Sequence, residues 1–185
     1  PFSGWTRPLE PPPFVCPHSG LETFHLAVTD DGRIGAAESI EACSETGRMV
    51  LRDDLVTCSV TGRRILPDFA VTCPVTNLPV FRPEMVTCDT CGQEVSPSAV
   101  EEGACLACRE PQPVERTDPR VLRVVQSHPD LARWGKWRIS ETAAVYIMVG
   151  SSWAKRFLVV VDKNSLEVKR TATAGRWSGQ WVIAR

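Results

Sequence analysis

A cysteine recurs every fifteen residues through the middle of this chain. Cys43, Cys58, Cys73 and Cys88 follow this interval, and each begins a short turn-like sequence, from Cys-Ser-Glu-Thr-Gly at Cys43 to Cys-Asp-Thr-Cys-Gly at Cys88. Self-similarity at a fixed period indicates supersecondary units that bury an apolar face only against their neighbours. Because this period is short for a helical repeat, the sequence predicts a stack of short β-hairpins.

Alignment on the repeating cysteine places apolar residues at the same two positions of each unit. The first column is Val50, Ile65, Val80 and Val95, and the second is Leu51, Leu66, Phe81 and Ser96. Turn formers such as Pro67-Asp68 lie at the far end of each unit. We therefore expect a strand, a polar turn, a returning strand and a cysteine knuckle in each unit, with both columns in a shared core.

Only the last unit carries a second thiol in its turn. Cys88 and Cys91 form a Cys-x-x-Cys pair, and thirteen residues later a second pair follows, Cys105 and Cys108. A two-residue gap lets both sulfurs of a pair face one ion, and four thiolates close a tetrahedral shell. The sequence therefore predicts one structural Zn²⁺ ion at these four cysteines. A redox dithiol is the alternative, but it normally begins a helix in a thioredoxin-like βαβ unit.

The turn at Cys88 resembles the knuckle of zinc-ribbon and rubredoxin-like proteins, in which Cys-Pro-x-Cys-Gly is common. The turns at Cys16, Cys43, Cys58 and Cys73 look like the same knuckle, with Ser19, Thr46, Thr61 and Thr76 in place of the second cysteine. The resemblance covers residues 16–109, although only the last unit has all four ligands. It implies zinc-dependent folding and a role in contacting nucleic acid or protein.

The four single cysteines allow two interpretations. In a flat meander their knuckles would lie two strand spacings apart, about 9.5 Å, which is too far for a disulfide. We therefore expect buried thiols, with serine or threonine hydroxyls bonding the turn backbone. The alternative is a second metal site that recruits Cys16, Cys43 and His18.

Charge divides the chain into two parts. Residues 1–116 contain nine arginines, no lysine and 17 acidic residues, whereas residues 117–185 contain 12 basic and five acidic residues. The net charges are −8 and +7, which predicts two domains with different electrostatic roles or two halves that attract each other. The prolines of residues 110–116 predict a linker between the repeat domain, residues 16–109, and the basic domain, residues 117–185. Residues 1–15, also rich in proline, predict an extended arm.

The basic part predicts an α+β domain. Asp118 is a candidate N-cap before Pro119, and apolar residues at helical spacing continue to His128, which we expect to be packed in the core. Five apolar segments separated by polar turns then predict an antiparallel meander. The predicted fold class is mostly β with an α+β part: an array of short zinc-knuckle β-hairpins, then a helix and an antiparallel β-meander.

Five of the six tryptophans lie among the basic residues of this second part. Aromatic rings beside cationic side chains on a sheet are typical of proteins that bind single-stranded nucleic acid. The residues predicted to contact nucleic acid are Lys136, Arg138, Trp153, Lys155, Arg156, Arg170, Arg176 and Trp177. The alternative is that the tryptophans fill the core while lysine and arginine form a solvated face.

These patterns predict a non-enzymatic accessory module that binds nucleic acid within a larger assembly. The alternative is a scaffold that docks a protein subunit through the acidic hairpins or the proline-rich arm. The chain has no glycine-rich phosphate loop and no Ser-His-Asp arrangement, so we expect neither catalysis nor a small-molecule substrate. The reduced cysteine pairs, the absence of a secretory layout at the N-terminus and the lack of a long apolar run favour a cytoplasmic protein without membrane contact.

Overall fold

The computed structural model describes residues 11–178 and 180–183 and divides the chain into two compact units, residues 1–71 and 72–185. Most of the predicted arm, residues 1–10, lies outside the described residues. The fold is mostly β, with many short hairpins followed by a helix and a six-stranded antiparallel meander. The predicted fold class is confirmed.

The first unit consists of short hairpins. Its strands are β1 (Phe14–Val15), β2 (Glu22–Thr23), β3 (Leu26–Val28), β4 (Ile34–Ala36), β5 (Ile40–Ala42), β6 (Met49–Leu51), β7 (Val56–Thr57) and β8 (Arg64–Ile65). They pair in sequence as four separate two-stranded sheets. The boundary between the units falls within β9 (Ala70–Thr72).

The second unit begins with hairpins of the same kind. Its first strands are β10 (Pro79–Phe81), β11 (Val86–Thr87), β12 (Glu94–Val95), β13 (Val100–Glu101) and β14 (Ala104–Cys105), followed by the single-turn helix α1 (Leu106–Arg109). Strands β11 and β12 pair with each other, as do β13 and β14. This last hairpin has no cysteine knuckle, because Glu102 and Gly103 alone form its turn.

Each cysteine knuckle is the loop of a hairpin. At Cys58 the amide donates to the Arg63 carbonyl at 2.8 Å, and the Gly62 amide donates back to the Cys58 carbonyl at 2.9 Å. The same two bonds recur at the other repeat cysteines. The fifth residue has a positive φ, +72° at Gly62 and 57° at Asn77, which explains why only glycine or asparagine stands there.

Short 3-10 turns connect the successive hairpins. They span Ala37–Ser39, Arg52–Asp54, Pro67–Phe69, Arg82–Glu84 and Pro97–Ala99, again at intervals of fifteen residues. The turn formers thus lie at the predicted ends of the units. In the first unit a 3-10 turn after each two-stranded hairpin redirects the chain into a new sheet, so the hairpins form separate sheets and not one flat meander.

The aligned apolar columns are buried with one exception. Val50, Ile65, Val80 and Val95, the first column, are each at most 3% exposed. In the second column Leu51, Phe81 and Ser96 are buried, but Leu66 is only half-buried. The first column is therefore the more reliable marker of the repeat core.

Replacing Ile65 by alanine is expected to lower the free energy of unfolding by about 2–4 kcal/mol, because a fully buried side chain leaves a cavity. Leu66→Ala is expected to cost less. Asp53→Ala, at an exposed 3-10 turn, serves as the control and is expected to change stability by less than about 0.5 kcal/mol. Urea unfolding of the full chain measures all three, and a larger loss for Asp53→Ala than for Ile65→Ala would contradict the observed register.

The second unit continues with a helix and a sheet. Its elements are β15 (Gln112–Val114), α2 (Pro119–Ser127), β16 (Lys136–Glu141), β17 (Val145–Ser151), β18 (Lys155–Asp162), β19 (Val168–Gly175) and β20 (Val182–Ile183). Strands β15 to β20 are hydrogen-bonded in sequence order, and all pairs are antiparallel. Asp118 caps α2 by accepting the Arg120 amide at 2.9 Å, so the predicted helix start is correct.

The segment predicted as a linker, residues 110–116, contains an edge strand. Val114 pairs with Trp137, and the Pro111 carbonyl accepts a hydrogen bond of 2.8 Å from Arg138 Nε. Proline is tolerated in an edge strand, because one side of such a strand has no partner that needs an amide donor. The boundary between the compact units lies instead at residues 71 and 72.

The two faces of the six-stranded sheet pack differently. The helix face carries Trp137, Ile139, Met148, Val159 and Val161, which form a buried core with Val121, Val124, Leu131 and Trp134 from α2 and the segment after it. The opposite face, called the knuckle face, carries Ile147, Leu158, Val160 and Ala172, all at most 1% exposed. On this side the Ser140 hydroxyl donates to the Ala107 carbonyl in α1.

Candidate metal centre

Four cysteine thiols meet where the last two hairpins adjoin. Cys88 and Cys91 lie in the knuckle between β11 and β12, whereas Cys105 ends β14 and Cys108 lies in α1. All four side chains are buried, and their sulfur atoms lie within 4.8 Å of one another. The arrangement is positioned to hold a metal ion.

The spacing of the sulfurs fits a tetrahedral shell. Sγ of Cys88 is 3.9 Å from Sγ of Cys108, Cys91 is 3.8 Å from Cys105, and Cys105 is 3.5 Å from Cys108. Four sulfurs around Zn²⁺ at the usual bond length of about 2.3 Å would be separated by about 3.8 Å. With four protein ligands, such a shell has no open position for a substrate or a water molecule.

The thiols of the cluster influence one another strongly. Hydrogen bonds from Cys105, and then from Cys108 and Cys91, lower the pKa of the Cys88 thiol. At Cys108, hydrogen bonds with Cys105 and the other two cysteines, together with burial, raise the pKa. Four buried sulfurs this close cannot all be negatively charged without a compensating cation, so the site suits a metal better than four thiolates alone.

The four-cysteine cluster has a partial copy at Cys73. The Cys105 amide donates to Cys88 Sγ at 3.2 Å, and the Ser96 amide donates to Cys73 Sγ at the same distance. Ser96 therefore occupies the position equivalent to Cys105 of the four-cysteine cluster. Ala99, three residues later, occupies the position equivalent to Cys108. Sequence comparison alone missed this equivalence, because the last hairpin is six residues shorter than a regular unit.

The single cysteines retain hydrogen bonds to sulfur. The Ser19 hydroxyl, followed by the Ala36 backbone, lowers the pKa of Cys16 to about 6. Burial opposes ionisation of Cys43, but the Thr46 hydroxyl and nearby backbone groups outweigh it and lower the pKa to about 7. Ser19, Thr46 and Thr76, at the second-cysteine position, therefore bond the cysteine sulfur instead of sharing a metal with it.

The alternative second metal site is not formed. Cys16, Cys43 and His18 do not come together, and in the part of the chain that the structure describes the four-cysteine cluster is the only group of three or more potential ligands close enough to share an ion. The sequence thus predicted which four cysteines the fold brings together and left open a site that the fold does not build.

The predicted nucleic-acid residues lie largely at one end of the six-stranded sheet. Trp153, in the turn between β17 and β18, and Trp177, just after β19, are 86% and 92% exposed. Arg176 joins these two turns, since its Nη1 donates to the Trp153 carbonyl at 3.2 Å and its guanidinium lies 5.5 Å from the centre of the Trp177 ring. Lys136 and Lys155, which begin β16 and β18, are exposed at the same end.

Three predicted arginines lie on the knuckle face. Arg138 and Arg156 are held by main-chain carbonyls, whereas Arg170 contacts the turn of residues 88–92, called the metal knuckle because it carries two of the four clustered cysteines. A Cβ atom added at Gly92 would lie 2.7 Å from Nη1 of Arg170. Arg170 therefore packs on the metal knuckle, a contact that the sequence did not predict.

The tryptophans of this unit include a buried pair and an exposed pair. Trp134 and Trp137 are 8% and 3% exposed and belong to the core on the helix face. Trp153 and Trp177 project from the turns at the end of the sheet. Sequence reasoning could not separate these groups, because both stand beside basic residues.

No protein-family model, curated protein or solved structure matches this chain. Its function must therefore be inferred from the geometry of its own sites. Among the described residues, no helix combines the length and apolar character needed to cross a membrane.

Proposed function

We propose that this chain is a non-enzymatic zinc-binding module that binds single-stranded nucleic acid as part of a larger assembly. Zinc is the metal that best suits four buried thiolates with tetrahedral spacing. In this proposal the ion is structural, the knuckle belongs to the zinc-ribbon type that it resembles, and a reducing compartment such as the cytoplasm keeps the thiols available.

The exposed indoles of Trp153 and Trp177 carry the proposal for nucleic acid. A tryptophan can bury 150–250 Å² in a fold or an interface, so two indoles exposed on adjacent turns leave an unusually large aromatic surface in solvent. Stacking of a nucleobase on such a ring contributes about 1–3 kcal/mol and tolerates any base. The two rings thus offer platforms for successive bases of one strand.

Basic side chains surround these platforms. Lys136, Lys155 and Arg176 lie at the same end of the sheet, and residues 117–185 carry a net charge of +7. Phosphate neutralisation by such groups releases counterions, so binding should weaken steeply as salt increases. The combination of aromatic rings and cations favours a strand of nucleic acid over an uncharged peptide as the ligand.

Trp153→Ala and Trp177→Ala are each expected to weaken binding of a labelled oligothymidylate by about 5- to 150-fold, the loss of one stacked base. Fluorescence anisotropy with the full chain at about 50 mM salt measures this, since electrostatic binding is strong there. Phe24→Ala removes another aromatic ring, 68% exposed in the first unit, and is expected to leave the affinity unchanged. No association by the wild-type chain would reject nucleic-acid binding.

A protein scaffold is the second candidate function. The first two hairpins leave Phe24, Leu26, Val28 and Ile34 at least half exposed, in a part of the chain with net negative charge. Apolar side chains gathered in this way are typical of protein-binding surfaces. If oligonucleotides fail to bind, Phe24 becomes the first position to test against candidate partner subunits.

A further inference from the structure

A groove of about 960 Å³ lies in the second unit, between the metal knuckle and the knuckle face of the sheet. Its floor includes Arg138, Val149, Ser151 and Arg156, and Cys108 lies in its wall. We call it the knuckle groove. Neither the metal shell nor the exposed tryptophans account for it.

The turn at Cys88 and helix α1 contact the knuckle face of the sheet beside the groove. Ser140 and Arg170 lie in one row of paired residues across the sheet. Ser140 bonds to Ala107 of α1, and Arg170 packs against Gly92. Four residues further along β17, Ser151 and its neighbour Arg156 also line the groove, beside Lys136 at the other end of the strand. The groove therefore extends towards the end of the sheet that carries the exposed tryptophans.

Two arginines flank the floor of the groove. Arg138 pairs with Val149 and Arg156 pairs with Ser151, so both arginines border β17 from opposite sides and point to the knuckle face. Strands two apart are separated by about 9.5 Å, a gap that two extended arginine side chains can bridge through one anion. The geometry favours a shared anionic ligand above Val149 and Ser151.

The hydrogen bonds of these arginines leave donors for a ligand. Arg138 donates from Nε to Pro111, and Arg156 donates from Nη2 to the Ser178 carbonyl. Among the described residues, Arg156 Nε is buried without a hydrogen-bond partner. A buried charged donor without an acceptor is rare in folded proteins, and it points to an acceptor supplied from outside the chain.

The remaining walls fit a ligand that carries a ring as well as a negative charge. Trp181 lines the groove, and the Arg156 guanidinium lies 5.1 Å from the centre of its ring. Asp89, in the turn at Cys88, and Glu102, in the turn between β13 and β14, line the opposite wall, while Arg109 is paired with Glu101. The cations available to an anion are thus on the sheet side, beside the indole.

We propose that the knuckle groove holds one phosphate of a bound single strand, with Arg138 and Arg156 as its ligands and Trp181 as the platform for the adjoining base. This inference rests on the proposed binding of nucleic acid and specifies where the strand leaves the exposed tryptophans. Arginine suits this role because its planar fork donates two hydrogen bonds to phosphate.

Arg138→Gln combined with Arg156→Gln tests the groove in the full, metal-loaded chain. The double variant is expected to bind a labelled oligothymidylate about tenfold more weakly at low salt. Its plot of log affinity against log salt is expected to flatten by about 0.7, the value for one lost phosphate contact with a single strand. Arg123→Gln, an exposed arginine on α2 beyond the other face of the sheet, is the matched control and is expected to leave both unchanged.

The outcomes separate this inference from the proposed function. If the wild-type chain binds no oligonucleotide, both fail. If binding depends on Trp153 and Trp177 but the double variant behaves like Arg123→Gln, only the proposed phosphate site in the groove is overturned. Complete displacement of the strand by thymidine monophosphate would mean that the groove binds a free nucleotide. This result would also overturn the proposed phosphate site. Metal content and thermal stability of each variant confirm that the fold is intact.

Discussion

Replacing Cys91 by serine is expected to abolish metal binding and to unfold the two hairpins that carry the four cysteines, β11–β12 and β13–β14. Wild-type chain is expected to bind one ion, because the four sulfurs form one closed shell. Structural zinc binding contributes roughly 10–16 kcal/mol in small domains, far more than strands of two residues supply by packing. Native mass spectrometry measures the stoichiometry, and hydrogen exchange of β11 to β14 measures the unfolding.

Cys43→Ser provides the matched control for this result. Cys43 is buried in a knuckle of the same shape, but it lies outside the four-cysteine cluster. Its variant is therefore expected to retain one ion. A Cys91→Ser chain that keeps its ion, or a wild-type chain that loses two ions on this substitution, would contradict a single tetrathiolate site. The core on the helix face contains no metal ligand, so its amides are expected to remain protected.

The repeat could be predicted because its constraints are local. A positive φ at the fifth knuckle position selects glycine or asparagine, and a buried first column selects valine or isoleucine at Val50, Ile65, Val80 and Val95. The pairing of whole hairpins is not local. Whether a 3-10 turn continues one sheet or starts another depends on how the chain is redirected, and periodicity carries no information on this.

The four-cysteine cluster could be predicted for the same reason, since two residues between cysteines suffice to let both sulfurs face one ion. The partial copy at Cys73 could not. Ser96 and Ala99 are not metal ligands, and only the amide-to-sulfur bond of 3.2 Å reveals that they occupy ligand positions. The edge strand β15 was likewise hidden, because Pro111 and Pro113 in sequence indicate a linker as readily as an edge.

The burial of individual tryptophans could not be predicted from the sequence. Trp134 and Trp153 both precede basic residues, yet the first is 8% exposed and the second 86%. The Trp134 ring is nearly parallel to the Phe157 ring, with 5.4 Å between their centres. It also lies over Gly150, where an added Cβ would be 2.8 Å from Cγ of Trp134. The core at this point requires both a large ring and a residue without a side chain.

Trp134→Ala is therefore expected to lower the free energy of unfolding by about 3–5 kcal/mol, the cost of removing a large buried aromatic ring. Trp134→Phe is expected to cost less, because it preserves an aromatic ring beside Phe157 and removes an indole Nε1 that is buried without a partner among the described residues. Trp153→Ala makes the same chemical change in solvent and is expected to alter stability by less than about 0.5 kcal/mol. Denaturant unfolding of the three variants gives the comparison.

A large loss of stability in the Trp153→Ala variant would mean that this indole supports the fold. The case for an aromatic platform would then fail, because a stacking residue must affect the affinity for a strand and not the stability of the sheet.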